Sequence, residues 1–299
     1  MSKKPTIAVI GAGKWGQALH FALSQQQETF ITSRTPRDIK NFTDLKTALS
    51  CDYLVIAIPA QQLKSWLKEN FIFNNQKILV ASKGIEASTG EFLNEIYADY
   101  VPEKNIGFIS GPSFAAEVIQ GLPCALVLNS TSKKLYKEFE PFFPPFIKTY
   151  YSTDVIGAEV AGAYKNVLAI ASGICEGLQL GKNAQASLIS RGLVEMQRFG
   201  KSFGAKKSSF VGLSGAGDLF LTASSSMSRN YRVGLGLAKN KKLDEILDEL
   251  GEVAEGVKTS EAIYNLSKEY SIYTPIANEV KLILDGKSPQ DSLKDLLNS

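Results

Sequence analysis

Residues 6–16 read TIAVIGAGKWG. The first five form a short apolar run rich in β-branched side chains, as expected of a buried strand. Gly11, Gly13 and Gly16 then fall in the spacing G-x-G-x-x-G, and QALHFALSQQ (17–26) follows with apolar positions at helical intervals. Strand, glycine turn and helix in this order give the motif its force. The first glycine permits a tight turn, the second lets a pyrophosphate approach the backbone, and the third lets the helix pack on the strand. A plain βα turn is the alternative reading.

Further strands are expected at Thr29–Ser33, Tyr53–Ile58, Ile78–Ser82, Ile106–Ser110 and Ala125–Leu128, separated by helical stretches such as QQLKSWLKE and TGEFLNEIYADY. That alternation implies a doubly wound α/β Rossmann domain around a parallel sheet. PPFIKTYYSTD (144–154) would be the last extended segment. Beyond it the texture becomes helical, in LISRGLVEMQRFGKSFG, LDEILDEL, TSEAIYNLSKEY, IANEVKLIL and DSLKDLL. The expected organisation is a dinucleotide-binding domain over 1–153 and an all-α, substrate-binding domain over 154–299.

With 299 residues, 44% of them hydrophobic and 21% charged, the chain is long enough for two such cores. A net charge of +3 falls short of a nucleic-acid binder. The first apolar run ends in glycines without a cleavage-type site, and no apolar stretch is long enough to span a bilayer, so the expected location is the cytoplasm. Cys51, Cys124 and Cys175 are too scattered for a disulfide framework or a zinc site, and no metal is expected. The single histidine, His20, falls in the first helix. An enzyme built on this chain must find its proton donor elsewhere.

In dinucleotide folds an acid about twenty residues beyond the glycines holds the ribose 2′-hydroxyl. Here the stretch is ITSRTPRD, with Ser33 and Arg34 at that place. A hydroxyl and a guanidinium suit a 2′-phosphate, so NADPH is expected; NADH is possible if Arg34 only stacks on the adenine. Lys83, in ASKG, and Gly111 and Ser113, in SGPSFAAE, follow two further strands, where open sheets bind ligands. Ser113 is placed to cap a helix beginning at Phe114. In SGAGDLFLTASSSMSRNYR the polar points are Asp218, Ser228, Arg229 and Asn230, and SRN combines a hydroxyl, a guanidinium and an amide that suit a phosphate ester. Each of these also has a structural reading, as a turn, a cap or an exposed arginine.

Lys165 stands in YKNVLAIASG (164–173), a run that otherwise looks like protein interior. It either snorkels to water or pairs with a carboxylate such as Glu159 or Asp218, or it faces a substrate carbonyl as a general acid.

Taken in order, GAGKWG, SKG, SGPSFAAE, YKNVLAI, GAGDL, SRN and EVAEGVKT resemble the bacterial-type NAD(P)-dependent sn-glycerol-3-phosphate dehydrogenases along almost the whole chain. The resemblance implies interconversion of dihydroxyacetone phosphate and glycerol 3-phosphate for phospholipid synthesis, by a homodimer. It makes Lys165 the general acid/base, and places Lys83, Gly111, Ser113, Asp218, Ser228, Arg229 and Asn230 around the triose phosphate substrate. For the cofactor it implicates Lys14 and Trp15 beside the glycines, with Arg34, Lys83, Ala115, Arg229, Val253 and Glu255. The chain departs from the pattern in carrying Lys14 where a small residue is usual, and in lacking a Tyr-Leu-Pro segment between Arg34 and Asp52. Two rivals share the architecture: a ketopantoate reductase or 3-hydroxy-acid dehydrogenase, which commonly has an asparagine one turn after its lysine where this chain has Ala169, and a non-catalytic NADP-sensing module.

Overall fold

A computed structural model of the chain describes residues 6–298. Residues 1–5, on which the reading of the amino terminus partly rests, lie outside the described residues. The chain divides into two compact units. One comprises residues 1–82 and 94–158; the other comprises residues 83–93 and 159–299.

The first unit is built on seven strands, β1 (Ile7–Ile10), β2 (Thr29–Thr32), β3 (Tyr53–Ile56), β4 (Lys77–Val80), β5 (Ile106–Ser110), β6 (Cys124–Asn129) and β7 (Ile147–Ser152). They lie in the order β2-β1-β3-β4-β5-β6-β7. Its helices are α1 (Lys14–Ser24), α2 (Leu45–Leu49), α3 (Ala60–Asn70), α4 (Leu93–Ala98, which straddles the division), α5 (Ala115–Ile119) and α6 (Lys133–Phe139). Ile10 pairs with both Thr32 and Ile56, and Ile56 with Val80. The first four strands therefore end level, and the turns that follow them share one edge. Ile7, Val9, Ile31, Val55 and Leu79 are fully or almost fully buried, with Leu19 and Leu23 of α1 packed into the same core. This two-sided burial is why these strands read as continuous apolar runs.

The sheet is not wholly parallel. β5 and β6 pair antiparallel, with Ile109 opposite Leu128, and β7 then runs parallel to β6. A parallel crossover has to carry the chain back along the full length of a strand. The helix between β5 and β6, α5, has five residues and spans about 7.5 Å at 1.5 Å per residue. It is too short to make the return, so β6 leaves from the edge at which β5 arrived.

The second unit carries α7 (Val155–Gly177, its first residues belonging to the other unit), α8 (Gly181–Ser202), α9 (Lys207–Val211), α10 (Asp218–Ala223), α11 (Arg229–Ala238), α12 (Leu243–Leu250), α13 (Glu255–Glu269), α14 (Pro275–Leu284) and α15 (Pro289–Leu297). From Ala158 to Cys175 every residue of α7 is buried. Its small residues serve packing inside the chain: a Cβ on Gly173 would lie 2.1 Å from the Tyr231 carbonyl oxygen, and one on Gly234 would lie 2.1 Å from that of Ile170. The α7 and α11 backbones thus meet at a distance that only paired glycines allow. Among the described residues no helix is long and apolar enough to cross a membrane.

Candidate functional site

Each unit carries a group of the residues that the sequence singled out. In the first, Gly11 follows β1 with φ of +110°, and its amide donates to the Thr32 carbonyl at 2.8 Å. A side chain there would be strained by its backbone conformation and would meet the Ala57 carbonyl oxygen at 2.6 Å. Gly16, on the first turn of α1, lies against Gly11 so closely that a Cβ would sit 1.8 Å from its carbonyl oxygen. Gly13 differs from both: around its Cβ position there is nothing within 4 Å. The first and third glycines are therefore required by packing, and the second keeps open the approach to the α1 N-terminus, where unpaired amides favour an anion. Lys14 and Trp15 open that helix. The Trp15 indole packs on the core while its buried Nε1 has no hydrogen-bond partner, a donor left to be satisfied. This arrangement fits the pyrophosphate of a dinucleotide.

Arg34 and Ser33 follow β2, but the two differ in availability. The Ser33 hydroxyl donates to the Thr35 carbonyl at 2.7 Å, which uses its one proton inside the turn. Arg34 is exposed. Gly111 follows β5 with φ of +117°, with the Ala125 carbonyl oxygen 2.8 Å from where a Cβ would lie. The expectation that Ser113 caps a helix starting at Phe114 is not met. The helix starts at Ala115 with Phe114 at the cap position, and the Ser113 hydroxyl instead donates to the Gly111 carbonyl at 3.2 Å. Beginning one residue later puts Ser113 outside the reach of the first-turn amides. Ala115 packs against the core of the unit. His20 is buried in α1, with Nε2 2.9 Å from the Thr29 carbonyl oxygen and its pKa lowered by burial.

In the second unit the chemistry gathers on Asp218, the first residue of α10 and 2% exposed. One carboxylate oxygen accepts from Lys165 Nζ at 2.7 Å, the other from Lys83 Nζ at 2.8 Å. Lys165 also donates to the Thr222 hydroxyl at 2.9 Å, and that hydroxyl donates to the Asp218 carbonyl at 2.7 Å. Thr222 is the member of this cluster that motif reading passes over. Its spacing of four from Asp218 on a helix is the signal that marks it. Lys83 reaches the group along α7, its side chain lying over Gly162, where a Cβ would be 3.6 Å from Lys83 Cγ.

The electrostatics follow from these contacts. Burial alone would raise the Asp218 carboxyl, but the ammonium groups of Lys165 and Lys83 outweigh it and hold the pKa below the ordinary value. Burial lowers Lys165 to about 8; the Asp218 carboxylate opposes this and the Lys83 charge assists it. Glu255, at the start of α13, is pushed up by burial against the attraction of Arg229, Lys83 and Lys165. Of the two carboxylates offered by the sequence as partners for Lys165, Asp218 is the one bonded to it.

The SRN residues separate by role. Ser228 caps α11, its hydroxyl accepting from the Tyr231 amide at 3.3 Å. The buried Asn230 accepts from the Gly256 amide at 3.0 Å and so ties α11 to the start of α13. Arg229 is partly exposed and 3.5 Å from Glu252. Val253 is exposed beside it in sequence. A lysine poised near neutrality beside a second lysine, with an arginine and an amide on the following helix, suits a carbonyl compound bearing an anionic group.

Family comparisons agree with this chemistry. The family model for the NAD-dependent glycerol-3-phosphate dehydrogenase N-terminus matches residues 29–136, and that for the C-terminus matches residues 154–294. A glycerol-3-phosphate dehydrogenase [NAD(P)+] of Sulfurimonas denitrificans is 66% identical over 98% of this chain and 99% of its own, and one of Campylobacter jejuni is 62% identical over 97% and 98%. The crystal structure of glycerol-3-phosphate dehydrogenase from Coxiella burnetii superposes with a TM-score of 0.90 at 32% identity, covering 99% of both chains. The chain belongs to the NAD-dependent glycerol-3-phosphate dehydrogenase family.

Proposed function

We propose that the chain interconverts dihydroxyacetone phosphate and sn-glycerol 3-phosphate, the step that supplies the glycerol backbone of phospholipids, with Lys165 as general acid/base. The observation that carries this reading is the Lys165 ammonium, lowered by burial to about 8 and held in place by Asp218 and Thr222. Gly11, Gly13, Lys14, Trp15, Gly16 and Arg34 would hold the nicotinamide cofactor in the first unit, with Gly13 and the α1 N-terminus on its pyrophosphate; Lys83, Ala115, Arg229, Val253 and Glu255 complete the proposed cofactor contacts. When bound, the cofactor supplies the hydride that reduces C2. Lys165 orients and polarises the C2 carbonyl oxygen and gives it a proton as the carbon is reduced, so that C=O becomes CH–OH and the amine is left neutral. Asp218 keeps Nζ in place, and the family resemblance adds Lys83, Gly111, Ser113 and Ser228 as substrate contacts. Arg229 and Asn230 bind the phosphate, a fork and an amide suited to its oxygens.

NADPH is the expected preference. It rests on Arg34 alone, since the Ser33 proton is committed to Thr35. The same family resemblance carries a cytoplasmic homodimer. The deciding experiment mixes the purified protein with NADPH and then dihydroxyacetone phosphate: NADPH absorbance should fall only on the second addition. A folded protein that binds NADPH and leaves it unoxidised under these conditions is a sensing module, not this enzyme. Equal kcat/KM for NADPH and NADH, or a higher value for NADH, would remove the role given to Arg34.

A further inference from the structure

Within the second unit, a groove of about 420 Å³ opens between the end of α7, one face of α8, α14 and α15. Ile174, Leu188, Ile276, Ile283, Leu293 and Leu296 form its apolar wall. None of the residues assigned to substrate or cofactor lines it.

Its polar groups divide into committed and uncommitted ones. Glu195 accepts from the Tyr164 hydroxyl and from the amides of Ile276 and Ala277, at 2.9, 2.9 and 2.8 Å. Arg198 donates to the Tyr273 carbonyl at 2.7 Å and lies over the Tyr273 ring. Glu279 accepts from Lys287 at 2.6 Å. Two groups remain. Ser292 is 1% exposed and its hydroxyl has no hydrogen-bond partner. Arg191, exposed on α8, makes no ion pair or hydrogen bond among the described residues. A helical serine ordinarily returns its proton to the carbonyl four residues back, so a buried one that does not is costly and calls for an acceptor.

Arg191 is a cationic, donor-only group and the Ser292 hydroxyl can donate or accept, and both border an apolar wall. The occupant that complements them has an alkyl body and an anionic, acceptor-rich head. We infer that this groove is a binding site for a single-chain fatty carboxylate, whose chain lies along the apolar wall and whose carboxylate is met by Arg191 and the Ser292 hydroxyl. Glu195 gives the occupant a physical link to the proposed chemistry. It lines the groove and holds the hydroxyl of Tyr164, the residue before Lys165 on α7.

The test is calorimetric titration of the full chain with decanoate below its micellar concentration, and with decanol as the neutral counterpart. Decanoate should bind saturably, one per chain, and decanol about tenfold more weakly or worse. Arg191→Ala should bring decanoate down to the decanol affinity. Ser187→Trp, at an exposed position on the groove wall, should abolish binding of both while leaving reduction of dihydroxyacetone phosphate unchanged. Absence of saturable binding, equal affinity for the two probes, or binding indifferent to both substitutions would overturn the assignment. So would a halved mass in solution for Ser187→Trp, which would give the groove to a second copy of the chain instead.

Discussion

Lys165 Nζ donates to Asp218 Oδ1 at 2.7 Å, an ion pair between a lysine with 8% of its side chain exposed and an aspartate with 2%. Taking both charges out of water offsets much of their attraction, so the pair is poor evidence for stability. It is better understood as a device for setting a pKa. Asp218 serves two ammonium groups at once, and at Lys165 the Lys83 charge works against it. Lys165 is left at about 8 instead of 10.5.

The first prediction follows from the sign of that contribution. The Asp218 carboxylate raises the Lys165 pKa against burial, so Asp218→Asn should lower it below about 8. Reduction needs the protonated amine and is lost as pH rises through the pKa. The descending limb of the kcat/KM profile for dihydroxyacetone phosphate should therefore begin near pH 8 in the wild type and at lower pH in Asp218→Asn. A limb that stays in place or moves to higher pH refutes the coupling.

Arg229 is half exposed and held loosely, 3.5 Å from Glu252, so its guanidinium is available to a ligand. Arg229→Ala should raise KM for dihydroxyacetone phosphate by about tenfold to a hundredfold, the worth of a charge-assisted hydrogen bond. At saturating NADPH, which offsets the cofactor contact also proposed for Arg229, reduction of unphosphorylated dihydroxyacetone should hardly change. If both substrates lose equally, the residue acts on the cofactor or on folding, and its proposed place at the phosphate is wrong.

Gly16→Ala tests the tight side of the dinucleotide turn. The new methyl would lie 1.8 Å from the Gly11 carbonyl oxygen, so backbone must move. Destabilisation on the order of 1–3 kcal/mol is expected from overpacking, with loss of NADPH binding measured by fluorescence titration. Gly13→Ala, with open space around its Cβ position, should leave urea unfolding nearly unchanged and weaken the cofactor alone. Equal stability losses in the two variants would contradict the division of labour among the three glycines.

Much of this architecture is legible in the residues themselves. TIAVI followed by GAGKWG fixes a strand, a turn and a helix, because Gly11 turns the chain, Gly16 packs against it and Gly13 leaves the helix N-terminus open. The later strands show as apolar runs because both faces are covered, although β2, β3 and β4 each stop short of the expected Ser33, Ile58 and Ser82. What escaped was decided by distance along the chain. The direction of β6 depends on the length of α5, which ends are hard to place for a five-residue helix. The Ser113 hydroxyl turns on a one-residue difference in where that helix begins. The choice of Asp218 over Glu159 for Lys165 pairs residues 53 apart in sequence. Lys83 groups with residues beyond 159, although it comes three residues after a strand of the first unit. Sequence spacing does not report on such contacts.

The most direct test of the account is the turnover of Lys165→Ala with saturating NADPH and dihydroxyacetone phosphate. The account predicts a fall in kcat on the order of 10² to 10⁴, the usual contribution of a general acid, with NADPH affinity retained. A folded Lys165→Ala protein that reduces dihydroxyacetone phosphate at close to the wild-type kcat would contradict it, and would leave the buried ammonium as no more than the structural partner of Asp218.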